Sequence, residues 1–234
     1  MADLNQADEL IVLYEDNHII AVNKRASDLS QGDKSGDEPL DKKVKRYLAT
    51  KYNKPGKVFL GVVHRLDRPV SGVILYARTS KALSRLNRMF QQREVRKIYW
   101  AVTGEKPPED EATIIHFLKK NEKQKKSYAY DHEVRGSRKA SLTYRIIGHS
   151  VRYYLLEVEL HTGRHHQIRA QLAAIGCPIK GDLKYGARRS NNDGSISLHS
   201  RCLKFIHPVT NQQIEIIAPL PENDVWKIFR NFDK

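Results

Sequence analysis

Hydrophobic and polar positions divide the chain into short elements. LIVLYED and HIIAVNK are β-branched runs split by Glu15-Asp16-Asn17, which predicts a hairpin. ASDLSQGDKSGDEP combines Gly, Ser, Asp and Pro and predicts a loop. Leu40, Val44, Tyr47 and Leu48 then recur at helical spacing with lysines between them, an amphipathic helix with a basic outer face. LGVVHRLD and GVILYART are strand-like runs, separated by RPVSG. There Pro69 disfavours a helical Arg68 and Gly72 permits an unusual backbone, so a tight exposed loop is expected. Ser80 can cap a helix that buries Leu83, Leu86 and Phe90 and turns Lys81, Arg85 and Arg88 to another side.

Strand signals resume at RKIYWAVTG and ATIIHFL, and KKNEKQKK between residues 119 and 126 predicts a solvated basic loop or hairpin tip. In RYYLLEVEL, Tyr154, Leu156, Val158 and Leu160 alternate with Tyr153, Leu155, Glu157 and Glu159, the period of a strand with one buried face. HTGRHHQIRAQLAAIG changes to helical period through Ile168, Leu172 and Ile175, and Gly176 supplies a stop. SLHSRCLKFIHP and QQIEIIAP predict a strand pair, and NDVWKIFRNF a short terminal helix capped by Asn223. Residues 1–9 form a polar tail and residues 10–234 a single domain. Strands outnumber helices, so the fold class is α+β: a mixed, mostly antiparallel sheet with a central cleft and flanking helices.

Charge narrows the partners. Lys and Arg total 41 against 27 Asp and Glu, a net charge of +14, which favours polyanions, nucleic acid before an anionic membrane. No apolar run has the length of a membrane span and the first residues lack a signal-peptide pattern, so a cytoplasmic protein is expected. Cys177 and Cys202 are too few for a disulfide framework or a four-thiolate zinc site. There is no G-x-x-x-x-G-K-[ST], G-x-G-x-x-G or G-x-S-x-G, which removes the commonest triphosphate, dinucleotide and serine-hydrolase signatures.

HRLDRPVSG is the most unusual segment. Asp67 ends an apolar run between Arg65 and Arg68, whose charges favour the ionised carboxylate, a form that can act as nucleophile or base. A surface turn with solvated charges fits the same residues. HTGRHHQIR places Arg164, His165, His166 and Arg169 at a strand-to-helix junction that can hold an anion, either a phosphate or the Asp67 carboxylate. Adjacent His165 and His166 are expected on different sides of the helix, and no H-E-x-x-H spacing appears, so zinc is disfavoured and no metal is expected. Tyr99 and Trp100 point to opposite faces of their strand, one into the core and one free to line a pocket or stack on a base.

HRLDRPVSG, RKIYWAV and HTGRHHQIRAQLAAIGCPIKGDLKYG together resemble the RluA-type RNA pseudouridine synthases, and SLHSRCLKFIHP and YEDNHIIAVNK extend the resemblance to nearly the whole chain, from about residue 10 to 220. The resemblance implies an enzyme that isomerises uridine in structured RNA, ribosomal or transfer, without cofactor, metal or obligatory protein partner. It implies Asp67 as catalytic aspartate, Tyr99 stacked on the base and assisting deprotonation at C5, Arg169 paired with Asp67, and Leu198 beneath the base. Arg65 would occupy the place of the flipped nucleotide, with Arg68, Arg164, His165 and Gln167 also on the substrate.

Two departures accompany the match. Pro69-Val70 stands where the family often has a polar pair such as Asp-Thr, and about ten residues precede the catalytic domain where many relatives carry an S4-type module. Target selection would then fall to the domain's own basic surface, including Lys119, Lys120, Lys123, Lys125 and Lys126, or that run is a solvated loop indifferent to the target. A monomer is expected. Two other readings stay open on residues alone: a noncatalytic RNA-binding protein in which Asp67 is dispensable, and a metal-dependent hydrolase using His161, His165 and His166.

Overall fold

The structure is a computed structural model in which residues 10–32 and 36–232 are described. The N-terminal tail, residues 1–9, lies outside them. One sheet of eleven strands organises the chain, in the order β1-β2-β4-β10-β5-β9-β8-β6-β7, with β3 added to β4 and β11 to β10. The pairing of β4 with β10 is parallel and the other strand pairings are antiparallel. This is the mixed, mostly antiparallel α+β architecture expected from the alternation.

At one side of the sheet both faces are covered. β1 (Val12–Glu15) and β2 (Ile19–Lys24) form the expected hairpin beside β4 (Ser71–Ala77). Ile20, Val22, Ile74 and Tyr76 pack under Leu40, Val44 and Leu48 of α1 (Leu40–Lys51). On the reverse face Ile19, Ala21, Val73 and Leu75 pack under Ala82, Leu86 and Met89 of α2 (Ser80–Gln92). Period-2 side chains with a helix on each face explain why β4 reads as an unbroken apolar run. The cap of α2 is Thr79 rather than Ser80, its hydroxyl accepting from the Ala82 N–H at 3.1 Å. Leu83 and Phe90 are only partly buried. The expected strand LGVVHRLD reduces to β3 (Gly61–Val62), because residues 63–70 leave the sheet to form the loop carrying Asp67.

The central strands are β10 (Leu198–Ile206), β5 (Arg96–Thr103) and β9 (Tyr154–Leu160). Tyr99, Ala101, Leu156 and Val158 meet Ile168 and Leu172 of α3 (Gln167–Ala174), while Ile98, Trp100, Val102 and Leu155 meet Trp226 of α4 (Asp224–Lys227) and Phe229. β9 therefore buries Leu155 as well as Leu156 and Val158, a departure from the one-faced strand expected, because the terminal segment folds over its second face. Asn223 caps α4 by accepting from the Trp226 N–H. β6 (Glu111–Asn121), β7 (Lys126–Tyr130) and β8 (Arg138–His149) complete the far edge, and the lysine run forms the β6–β7 turn. β11 (Gln213–Ile217) pairs with β10 as expected.

Candidate active site

The loop that carries Asp67 is fixed by backbone chemistry from two sides. The Val70 N–H donates to the Asp67 carbonyl at 3.0 Å, closing a tight turn around Pro69, and the Ile196 N–H donates to the Pro69 carbonyl at 3.2 Å. Below it, the fully buried Lys24 ammonium donates to the carbonyls of Arg25, Arg68 and Val70 at 2.8, 3.0 and 2.7 Å. Burial pushes this ammonium down to about 8, with nearby Asp28 and Asp67 opposing. Ser30 closes the entrance, accepting from the Leu66 N–H at 3.1 Å and donating to the Leu66 carbonyl at 2.7 Å. Gly72, immediately beyond, sits at φ +112, and a Cβ there would stand 2.2 Å from the Ser200 carbonyl oxygen. Only glycine allows β4 to run this close beside β10.

The loop delivers Asp67 to Arg169. Arg169 Nη1 donates to Asp67 Oδ2 at 2.9 Å, while Nε and Nη2 form a bidentate pair with Asp182 at 2.6 and 2.9 Å. The guanidinium lies 5.1 Å from the centre of the Tyr185 ring. Asp182 is 1 % exposed and Arg169 5 %. A buried guanidinium held on one edge by a carboxylate presents its remaining nitrogen in a fixed direction, so Asp67 meets a preset donor.

A second contact reaches the same oxygen. The Ser127 N–H donates to Tyr185 Oη at 2.8 Å, and Tyr185 Oη lies 3.0 Å from His166 Nδ1. Burial pushes the His166 imidazole down to about 3 against the pull of Asp67, so the ring is neutral at ordinary pH. Burial also raises the Tyr185 phenol to about 12. Tyr185 thus fixes the orientation of the imidazole, whose other nitrogen, Nε2, lies 3.4 Å from Asp67 Oδ2. Arg169 hydrogen-bonds Oδ2 and the neutral His166 ring lies beside it, while Oδ1 carries no hydrogen bond among the described residues.

Asp67, Tyr99, Arg169, Arg65, Arg164, Gln167 and Leu198, all named from the sequence, line one cavity of about 90 Å3. It opens beside a groove of about 940 Å3 that takes in Arg68, His165 and Lys120. Arg68 is partly engaged, donating to Asp37 at 2.6 Å and to the Ser27 carbonyl at 3.1 Å. Gln167 is 3 % exposed, and its amide accepts from the Thr162 hydroxyl and the Arg164 N–H and donates to the Ser141 carbonyl. Its place in the geometry is to shape the loop that presents Arg164.

Burial raises the Tyr99 phenol to about 12, with Asp67 adding to the effect. Its ionised fraction at pH 7 is on the order of one in 10^5, so the ring enters the pocket as a neutral phenol suited to stacking. His165 and His166 do not diverge as expected. They precede α3 rather than belonging to it, His166 takes a left-handed backbone at φ 53, and the two rings stack at 3.8 Å. Among the described residues no group of three or more His, Cys, Asp or Glu is placed to hold a metal ion. The reading from sequence missed Asp182, Tyr185 and Lys24. The first two lie in GDLKYG and the third in HIIAVNK, both segments of the family resemblance, where an acid and a lysine beside apolar residues were the available signals.

An α+β sheet that holds an arginine-paired aspartate beside a tyrosine, in a small pocket off a basic groove, defines a class of site, and comparison with known proteins places it. Residues 18–174 match the RNA pseudouridylate synthase family, and the chain belongs to that family. An uncharacterized RNA pseudouridine synthase of Chloroflexus aurantiacus is 40 % identical over 71 % of this chain, which spans about half (52 %) of that protein's length. Ribosomal large subunit pseudouridine synthase C of Rickettsia prowazekii is 32 % identical over 90 % of this chain and 68 % of its own length. The solved structure of human RNA pseudouridylate synthase domain containing 4 shares the fold, with a TM-score of 0.78 at 21 % identity over 94 % of this chain and 92 % of that one.

Proposed function

We propose that this protein isomerises uridine to pseudouridine within structured RNA, with Asp67 as the catalytic carboxylate. The observation that carries the reading is the asymmetry of Asp67: Oδ2 is held by Arg169 with the His166 ring beside it, and Oδ1 is left for chemistry beside Tyr99 and Leu198. The cavity suits a single base and the groove suits a polymer. A base inside a stacked helix cannot be detached and turned, so the uridine enters flipped out, at a cost of roughly a few kcal/mol. Contacts of the basic groove with phosphates offset that cost.

The reaction balances without a redox partner. The N1–C1′ bond breaks, the uracil turns while stacked on Tyr99, and a C5–C1′ bond forms; C5 loses its proton and N1 gains one. Attack of the carboxylate at C1′, its addition at C6, and a glycal route all use the same Asp67 oxygen. Arg169 keeps the carboxylate oriented through each. Tyr99, as a neutral phenol, holds the base rather than serving as an anionic base. Arg65 at the mouth of the pocket takes the space of the departed nucleotide, and Arg68, Arg164 and His165 face the strand in the groove.

The substrate is ribosomal or transfer RNA. Residues 10–234 act as one catalytic domain, as a monomer and in the cytoplasm; among the described residues no helix is long and apolar enough to cross a membrane. The test is to incubate the protein with unmodified ribosomal and transfer RNA transcripts, digest to nucleosides and separate them by chromatography. Pseudouridine, equal in mass to uridine but different in retention, is the expected product. Binding of both RNAs with no pseudouridine formed would favour the noncatalytic RNA-binding reading.

A further inference from the structure

One buried charge in the groove has no part in the chemistry above. Lys97 lies on β5 two residues before Tyr99 and so on the same face of the strand, about 7 Å along it, a separation that one nucleotide spans. It lines the groove with Arg93, Arg164 and His64. Most of the residue is buried, its ammonium opens to the groove, and among the described residues that ammonium meets no hydrogen-bond acceptor and no carboxylate. Lys24, also buried, satisfies its ammonium with three carbonyls.

The surroundings add positive charge. Burial pushes the Lys97 ammonium down, and Arg93 pushes it further. Arg164 is lowered by burial and then by Arg138 and Arg93. His64 cannot compensate: its Nε2 accepts from the Leu75 N–H at 2.9 Å, Phe90 stacks on its ring, and burial, aided by Lys97, takes it down to about 4. Arg164 Nε donates to the Lys139 carbonyl at 3.2 Å, which fixes the side chain against the groove wall. The Lys97 ammonium reaches the groove beside Arg93 and Arg164, so three cations converge there with no carboxylate between them among the described residues, an arrangement that a phosphate entering the groove neutralises.

We infer that Lys97, with Arg93 and Arg164, forms a phosphodiester-binding subsite on the groove floor that seats an RNA backbone phosphate next to the uridine stacked on Tyr99. The inference rests on the isomerase reading for which nucleotide is seated, while the anion site itself rests on Lys97 and its neighbours. An ammonium suits a phosphate as a compact point charge, and its burial beside the pocket ties the contact to the strand position adjoining the flipped base.

The experiment measures binding of a ten-nucleotide fluorescent oligo(U) by anisotropy from 50 to 300 mM salt. It compares wild type, Lys97→Met, Lys97→Gln, Lys97→Arg and, as a control outside the groove lining, Lys45→Met. Neutralising Lys97 is expected to weaken binding by about 5–10-fold at 0.1 M salt and to flatten the log–log salt slope by about 0.7, the loss of one single-strand phosphate contact. Lys97→Arg should restore most of the slope and Lys45→Met should match wild type. Thermal melting of Lys97→Met should be no lower than wild type; if it is lower, Lys97→Arg decides, and a folded Lys97→Arg with the flattened slope overturns the site. Wild-type affinity and slope in both neutral variants also overturn it. Pseudouridine formation is assayed in parallel: no product with the slope change intact removes the isomerase reading alone, and product with no slope change removes the phosphate site alone.

Discussion

At the pocket Arg169 sits between two carboxylates, Asp182 behind it and Asp67 in front, with the Tyr185 ring against its face. In the adjoining groove the ammonium of Lys97 meets no carboxylate among the described residues. The difference separates two uses of buried charge. Where geometry must be fixed before the substrate arrives, the fold supplies the counter-ion itself, and the carboxylate that does chemistry is held by one oxygen. Where the substrate carries charge of its own, the fold leaves the cation unmatched, and binding completes the pair.

Changes on the matched side should have the larger effects. Asp182→Asn leaves a buried guanidinium with half its support, and stability should fall by about 3–5 kcal/mol in chemical denaturation. Pseudouridine formation should fall by roughly 10^2-fold as Asp67 loses its preset donor. If Asp182→Asn keeps wild-type rate and stability, the matched side is not organised from behind. Gly72→Ala forces a Cβ onto the Ser200 carbonyl and should cost about 1–3 kcal/mol, read as a lowered melting temperature. His166→Ala removes the weaker contact to Oδ2 and should slow turnover about 10-fold while the Arg169 pair keeps RNA affinity near wild type.

The last effect is one of pH. His64, His166 and His199 are pushed by burial to about 4, 3 and 3, below the ordinary histidine value of 6.5. Below 6.5 the unfolded chain takes up protons that these folded-state histidines refuse. Their contribution to stability is therefore complete above 6.5 and lost progressively as pH falls toward 3–4. Denaturation midpoints should begin to drop between pH 6.5 and 5, before the carboxylates titrate. A flat profile over that interval would mean that the three rings are protonated in the fold.

The strands legible in the sequence were those whose apolar positions alternate or run unbroken: β1, β2, β4, β5, β6, β9, β10 and β11. β8 went unread although Ala140, Leu142 and Tyr144 alternate as buried positions, because Arg138, Lys139, Ser141, Thr143 and Arg145 around and between them give the segment a polar character. HRLD read as the end of a strand because it follows the apolar LGVV, but the loop's backbone groups bond to Ser30 at Leu66 and to Lys24 at Arg68 and Val70, partners some forty residues away that no local pattern records. Asp67, Tyr99 and Arg169 were named through family resemblance, and the cavity brings them together. Asp182 escaped because its role exists only once α3 and the following loop fold back on each other. Lys97 was passed over for a reason specific to lysine: in sequence a strand lysine reads as solvated, and only the packing shows it buried without a partner.

The most direct test of Asp67 at the centre of an isomerase is release of tritium from RNA labelled at C5 of uridine, since C5 must lose its hydrogen when it joins C1′. Wild type should release tritium, and Asp67→Asn should release it at least about 10^4-fold more slowly while binding the same RNA within a few-fold. Equal release by the two proteins would contradict the account.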